Sequence, residues 1–224
     1  MNNLLYTTSR PSTNFKAGVR GSLILFILAL LLVWSDPAVA ADDPDELDRA
    51  RRMFEEGIVL HAQMSHEFLD SYTGETQITE GEIWISKARY KVKAEQQTIL
   101  VDDDLSRVYN SAQNKLVISE YEAEEDDFAP SRFFSESEEV YTVSESHKEN
   151  GVNVFVLHSD DPFELFLEVI IRIDDDLKPL EIEAVDQMEN RLKTVFTDAQ
   201  YLEYAETMFH LEYPDDAEII DLRK

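Results

Sequence analysis

From Asp45 to Gly57 the apolar positions Leu47, Ala50, Phe54 and Ile58 recur every three to four residues, and acidic residues crowd the first turn. This spacing predicts one amphipathic helix, capped near Asp43 and ending around Gly57. After it the period changes to two. Ile83, Ile85, Tyr90 and Val92 lie in alternating runs of strand length, followed by Leu116 and Ile118 and then by Val152, Val154 and Val156. The same alternation continues through Leu165, Leu167, Val169, Ile171 and Ile173, and through Leu180, Ile182 and Ala184.

Turn-forming residues separate these runs: Thr73-Gly74, Asn110-Ser111, Glu149-Asn150-Gly151, Asp161-Pro162 and Lys178-Pro179. Most of the strands have no helix-length crossover between them, so successive antiparallel hairpins in a meander are expected. One interruption breaks the series. Pro130-Ser131-Arg132-Phe133-Phe134 follows an acidic loop and begins with a proline suited to the first helical position, which predicts a short helix carrying paired phenylalanines.

Two of the runs are apolar on both faces. Phe155 and Leu157, like Phe166 and Ile170, stand opposite the other apolar set of their own strands, so both surfaces of the sheet need covering. Ordinary core packing and an apolar ligand cavity both account for this pattern.

Residues 1–40 read as an export signal. Arg10, Lys16 and Arg20 precede an apolar run from Leu23 to Trp34, and the segment closes on Ala38-Val39-Ala40. That run is well short of the roughly 20 residues needed to span a bilayer. Cleavage after Ala40 is expected, leaving an exported mature chain of 184 residues (41–224) that forms one domain.

Charge narrows the partners. The full chain carries −27, and loss of three basic residues and one acidic residue with the signal leaves −29. Such a field repels phosphate backbones, which excludes nucleic acid as a partner. The acid falls in clusters between apolar runs (Asp102 to Asp104, Glu122 to Asp127, Asp160-Asp161 and Asp174 to Asp176) and reads as solvated turns, because no calcium-loop spacing is present. It would also suit a salty habitat, where ionic strength screens the self-repulsion. There is no cysteine, so the fold holds without disulfides.

Catalytic constellations are scarce. His61 and His66 are five apart, which places them on opposite faces of a strand and about 140° apart on a helix, so they form no local metal clamp. His147, His158 and His210 are isolated. The chain has no Gly-x-Ser-x-Gly elbow, phosphate loop or dinucleotide glycine pattern. Carboxylates are too abundant for any one pair to point to a glycosidase.

Several stretches in order resemble the periplasmic outer-membrane lipoprotein carrier family, LolA. They are Gly81-Glu82-Ile83-Trp84-Ile85, Arg89-Tyr90-Lys91-Val92, Ile99-Leu100-Val101-Asp102, Val108-Tyr109, Met208-Phe209-His210-Leu211 and Ala217 to Leu222, joined by Val117 to Glu122 and Pro130 to Phe134. The resemblance covers nearly the whole mature chain. It departs at Val101-Asp102-Asp103, where many members have Ser-Asp-Gly, at Arg107, where an aromatic residue is common, and at Lys87-Ala88, where members carry a basic residue and proline.

The resemblance implies a mainly β (α+β) fold, a curved and incompletely closed antiparallel sheet, or half-barrel, covered by the N-terminal helix and a short lid helix. It implies acyl chains of a lipoprotein bound between sheet and lid, with Trp84, Tyr90, Val92, Val108, Ile118, Phe155 and Leu157 lining the cavity and Phe133 and Phe134 on the lid. Lys87 or Arg89 is the basic residue expected to contact the lid. The expected partners are lipoprotein cargo, an inner-membrane release complex and an outer-membrane acceptor, served by a monomer with no cofactor, no metal and no catalysed reaction. Ala41, standing where the lipid-anchored acceptor carries a cysteine, points to the diffusing carrier. A lipid- or lipoprotein-sensing envelope domain of the same fold is the alternative, and an enzyme acting on envelope glycans is a third reading.

Overall fold

The structure is a computed structural model that describes residues 45–55, 57–87, 89–102, 104–122, 126 and 140–224. The signal segment, its cleavage point and the lid residues Phe133 and Phe134 lie outside the described residues. Among the described residues there is one α-helix, α1 (Asp45–Glu55). Its Leu47, Ala50 and Phe54 are all but fully buried, as the helical period requires. Arg51 pairs with Asp48 one turn earlier at 3.1 Å. Gly57, at φ +78°, follows the helix in the left-handed conformation that glycine adopts without strain. Ile58, grouped with the helix by its spacing, instead begins the first strand.

Twelve strands form one sheet. They are β1 (Ile58–Leu69), β2 (Thr76–Ile85), β3 (Arg89–Ala94), β4 (Gln97–Asp102), β5 (Leu105–Asn110), β6 (Lys115–Glu120), β7 (Thr142–Glu149), β8 (Val152–His158), β9 (Phe166–Ile173), β10 (Pro179–Asp186), β11 (Arg191–Glu203) and β12 (Glu218–Asp221). A 3-10 turn at Glu206–Phe209 lies between the last two. The strand order is β12-β6-β5-β4-β3-β2-β1-β11-β10-β9-β8-β7, so two antiparallel meanders are joined by the pairing of β1 with β11. β7 and β12 remain as edges and the sheet does not close into a barrel. The curved open sheet matches expectation, with one exception: β12 runs parallel to β6.

Local chemistry fixes the hairpins. Asn150 and Gly151 both take positive φ (52° and 84°), the left-handed pair of a tight turn between β7 and β8. The acidic clusters act as turn formers: Asp174 Oδ1 accepts the backbone N–H groups of Asp176 and Lys178 at 2.9 Å, and Asp161 Oδ1 accepts that of Phe163 at 2.9 Å. A β-bulge between His61 and Gln63 shifts the register of β1 against β11, and three further bulges interrupt the β7–β8 and β9–β10 pairings. Each bulge bends its strand and increases the local twist, which helps curve the sheet.

Alternation sorts the side chains into two clusters. The larger one includes Tyr90, Val92, Ile83, Ile85, Leu60, Ala62, Met64, Phe196, Ile182, Ile171, Phe155 and Leu157 together with Leu47, Ala50 and Phe54 of α1, and therefore marks the inner face. Val59, Leu100, Leu116, Phe209 and Leu211 form the second cluster on the outer face, with Trp84, Tyr109, Ile118 and Met208 packed against it. The chain after β11 supplies the cover on that side.

Candidate functional site

The inner face is an apolar surface to which eight adjacent strands contribute, from β4 through β3, β2, β1, β11, β10 and β9 to β8. Tyr90, Val92, Phe155 and Leu157 all belong to it and are 0 to 4% exposed. Tyr90 and Val92 contribute from one meander and Phe155 and Leu157 from the other, so the β1–β11 junction brings them onto one surface. Val108 sits opposite Ile99 and Val117 in the ladder, half-buried, with Ile99 packed against the inner cluster.

The structure does not bring Trp84 and Ile118 onto this face. Trp84 lies between Ile83 and Ile85, and strand alternation sends it to the outer side when those two point inward. There its ring stacks on His61 at 4.7 Å, and Lys91 Nζ lies 4.3 Å from its centre. Burial, with lesser help from Lys93, lowers the Lys91 pKa, and Glu212 and Glu82 oppose the change. Ile118 shares the parity of Leu116 and packs with it under the C-terminal segment. An outer groove of about 400 Å³ opens beside Trp84, lined in part by Lys91, Tyr109, Thr207 and His210.

Lys87 is exposed in the turn after β2. Arg89 forms ion pairs with Asp102 at 2.6 Å and with Glu206 at 2.8 Å, and donates to the Tyr204 hydroxyl at 2.8 Å. The guanidinium thus ties β3 to β4 and to the segment after β11. Phe133 and Phe134 lie outside the described residues.

Several inner-face residues escaped the sequence reading. Leu60, Ala62 and Met64 of β1 and Leu192 and Phe196 of β11 belong to the inner cluster. Their period of two is present in the sequence, but both strands carry polar residues on the inner side as well. His66 Nδ1 lies 2.9 Å from Thr194 Oγ1 across the β1–β11 pair, and burial lowers the His66 pKa from 6.5 to about 4. His61, five residues earlier, stands on the outer face, as strand parity requires. Tyr90 donates its hydroxyl to Asp126 Oδ2 at 2.6 Å, and Tyr121 meets the Tyr90 ring edge-on at 6.4 Å. Among the described residues no three His, Asp or Glu side chains gather as a metal-holding set. Nor is any helix among them long and apolar enough to cross a membrane.

These features define a class: a helix-covered, open and curved β-sheet with a broad apolar inner face. Solved structures of similar shape include an uncharacterised conserved protein of Thermus thermophilus, 13% identical over 80% of this chain and 98% of that one, at a TM-score of 0.52. They also include a LolA superfamily protein of Nitrosomonas europaea (7% identity, 75% of this chain and 97% of that one, TM-score 0.42). A domain assigned to outer-membrane lipoprotein sorting in Vibrio parahaemolyticus is a third (14% identity, 74% and 95% coverage, TM-score 0.41). The first of these, with a TM-score above 0.5, supports the open-sheet fold expected from the sequence. At these identities the likeness concerns the fold alone. No family model and no curated protein matches the chain.

Proposed function

We propose that the inner face binds the acyl chains of a lipid or lipoprotein, and that the protein carries this cargo across the periplasm from an inner-membrane release complex to an outer-membrane acceptor. The observation that supports this reading is the broad apolar inner face to which eight strands of an open sheet contribute. An open sheet can widen or narrow at its edges with little loss of ladder bonding, and a closed barrel cannot. The binding residues in this reading are Tyr90, Val92, Val108, Phe155 and Leu157, with Phe133 and Phe134 covering them, and Lys87 or Arg89 contacting that cover.

The energetics set the demand. A chain of about fifteen methylenes costs roughly 12 kcal/mol to expose to water at about 0.8 kcal/mol each, so the carrier must supply apolar area on that scale. Delivery requires that the site hold its cargo no more tightly than the acceptor does, which argues for a matched surface.

Native mass spectrometry of protein purified from the periplasm, followed by titration with an acylated fluorescent probe, tests the proposal. Co-purified lipid or lipoprotein, with saturable probe binding that Phe155→Glu abolishes in a still-folded protein, is the expected result. Empty protein that fails to bind the probe would refute it.

A further inference from the structure

Among the described residues, the inner face carries one polar side chain with no partner. Asn153 of β8 is 1% exposed, and neither its amide nitrogen nor its amide oxygen has a hydrogen-bond partner. Parity places it on the same side as Phe155 and Leu157, and Ile173 of the inner cluster is its neighbour on β9. A buried primary amide left unpaired loses its hydration with nothing in exchange, so its presence in an otherwise apolar row calls for a cause.

Its position supplies one. Asn153 stands at the end of the apolar row, beside the β7–β8 turn. Its neighbour on β7, Lys148, is paired with Asp175 of the β9–β10 turn at 2.6 Å. The apolar positions Phe155 and Leu157 continue from it along β8, and Ile171 and Val169 along β9. A ligand with a hydrocarbon tail and one polar group fits this order, with its tail along the phenylalanine and leucine positions and its polar group at the amide.

We infer that Asn153 is a specificity-determining residue that hydrogen-bonds the carbonyl joining an acyl chain to its headgroup, Nδ2 donating to the carbonyl oxygen. This deepens the acyl-binding reading above and rests on it. The ligand class is an ester- or amide-linked acyl chain, in preference to a plain hydrocarbon. A hydrocarbon would leave the amide unpaired, and a carbonyl would satisfy its donor. One buried hydrogen bond gained in this way corresponds to about tenfold in affinity.

The test compares N-methyl dodecanamide, methyl dodecanoate and the alkane of matching length, with binding followed by displacement of a fluorescent acyl probe from the wild type and from Asn153→Leu. The wild type is expected to bind the amide and the ester about tenfold more tightly than the alkane. The leucine variant, in which an apolar side chain of similar size replaces the orphaned amide, should fold with equal or higher melting temperature and bind all three alike. Asn153→Ser, smaller and still able to donate, should keep part of the preference and serves if the leucine variant misfolds.

A wild type that binds all three equally would overturn the inference and leave acyl binding intact, as would a leucine variant that keeps the preference. The first of these outcomes is expected if a buried water already satisfies the amide. Failure of the wild type to bind any of the three would instead remove the acyl-binding reading and this inference with it.

Discussion

The imidazole of His66 and the hydroxyl of Thr194 meet at 2.9 Å across the β1–β11 ladder, on an inner face built mainly from aliphatic and aromatic side chains. The two residues are far apart in the chain, and their contact lies on the junction that joins the two meanders. Burial there favours the neutral ring and lowers its pKa to about 4.

This gives stability a defined pH dependence. The unfolded chain takes up a proton on this histidine near pH 6.5, and the folded protein only near pH 4. The stabilising contribution is therefore complete above 6.5, declines as pH falls and is gone below about 4, for a total of about 3 kcal/mol. His66→Gln retains a side chain able to bond Thr194 and does not titrate. In urea unfolding across this range, its stability should fall less steeply than that of the wild type by that amount. Parallel curves would show that His66 does not carry the effect.

Trp84 reports on the side of the sheet away from the proposed acyl-binding face. Its ring is held between His61 and Lys91 on the outer face. An acyl ligand bound to the inner face should leave Trp84 emission and its quenching by acrylamide unchanged, measured in protein lacking residues 1–40 so that Trp34 does not contribute. A blue shift on ligand addition would place the ligand against the outer cluster.

Gly81 lies where β2 begins to pair with β3, opposite Ala94. A Cβ built there would clash with the backbone carbonyl of Lys93. Because the obstacle is backbone, neighbouring side chains cannot relieve it by moving. Gly81→Ala should cost about 1 to 3 kcal/mol and lower the melting temperature, and an unchanged melting curve would show that the two strands separate freely at this point.

The net charge of −27 opposes compaction at low ionic strength. Screening shortens from about 10 Å at 0.1 M salt to about 3 Å at 1 M, so the folded fraction should rise with sodium chloride. A circular dichroism titration with no rise would show that the acidic side chains are already neutralised locally. Asp102, paired with Arg89 and more distantly with Arg107, illustrates such neutralisation.

Much of the fold was readable because each meander is local. The alternation in β2, β3, β6, β8, β9 and β10 and the turns between them depend on residues close in sequence. The central strands β1 and β11 were not read. Their inner sides mix Leu60, Ala62, Met64, Leu192 and Phe196 with His66 and Thr194, so the contrast of polar and apolar positions is blurred. The β1–β11 bulge also changes parity within β11: Phe196 and Tyr201 both pack with the inner cluster although they are an odd number of residues apart.

By itself the sequence determined the helix preceding the sheet, the hairpin series, the absence of cysteine chemistry and the acidic surface, all properties of composition or of short-range period. Only the tertiary structure decided which side of each strand faces inward. Trp84 and Ile118 have the same local pattern as residues of the inner face, and on the other side they pack, half-buried, against the outer cluster that the C-terminal segment completes. A strand's alternation defines two faces but does not name them. Which one becomes the inner surface depends on what covers it, and the covering segments come from distant parts of the chain.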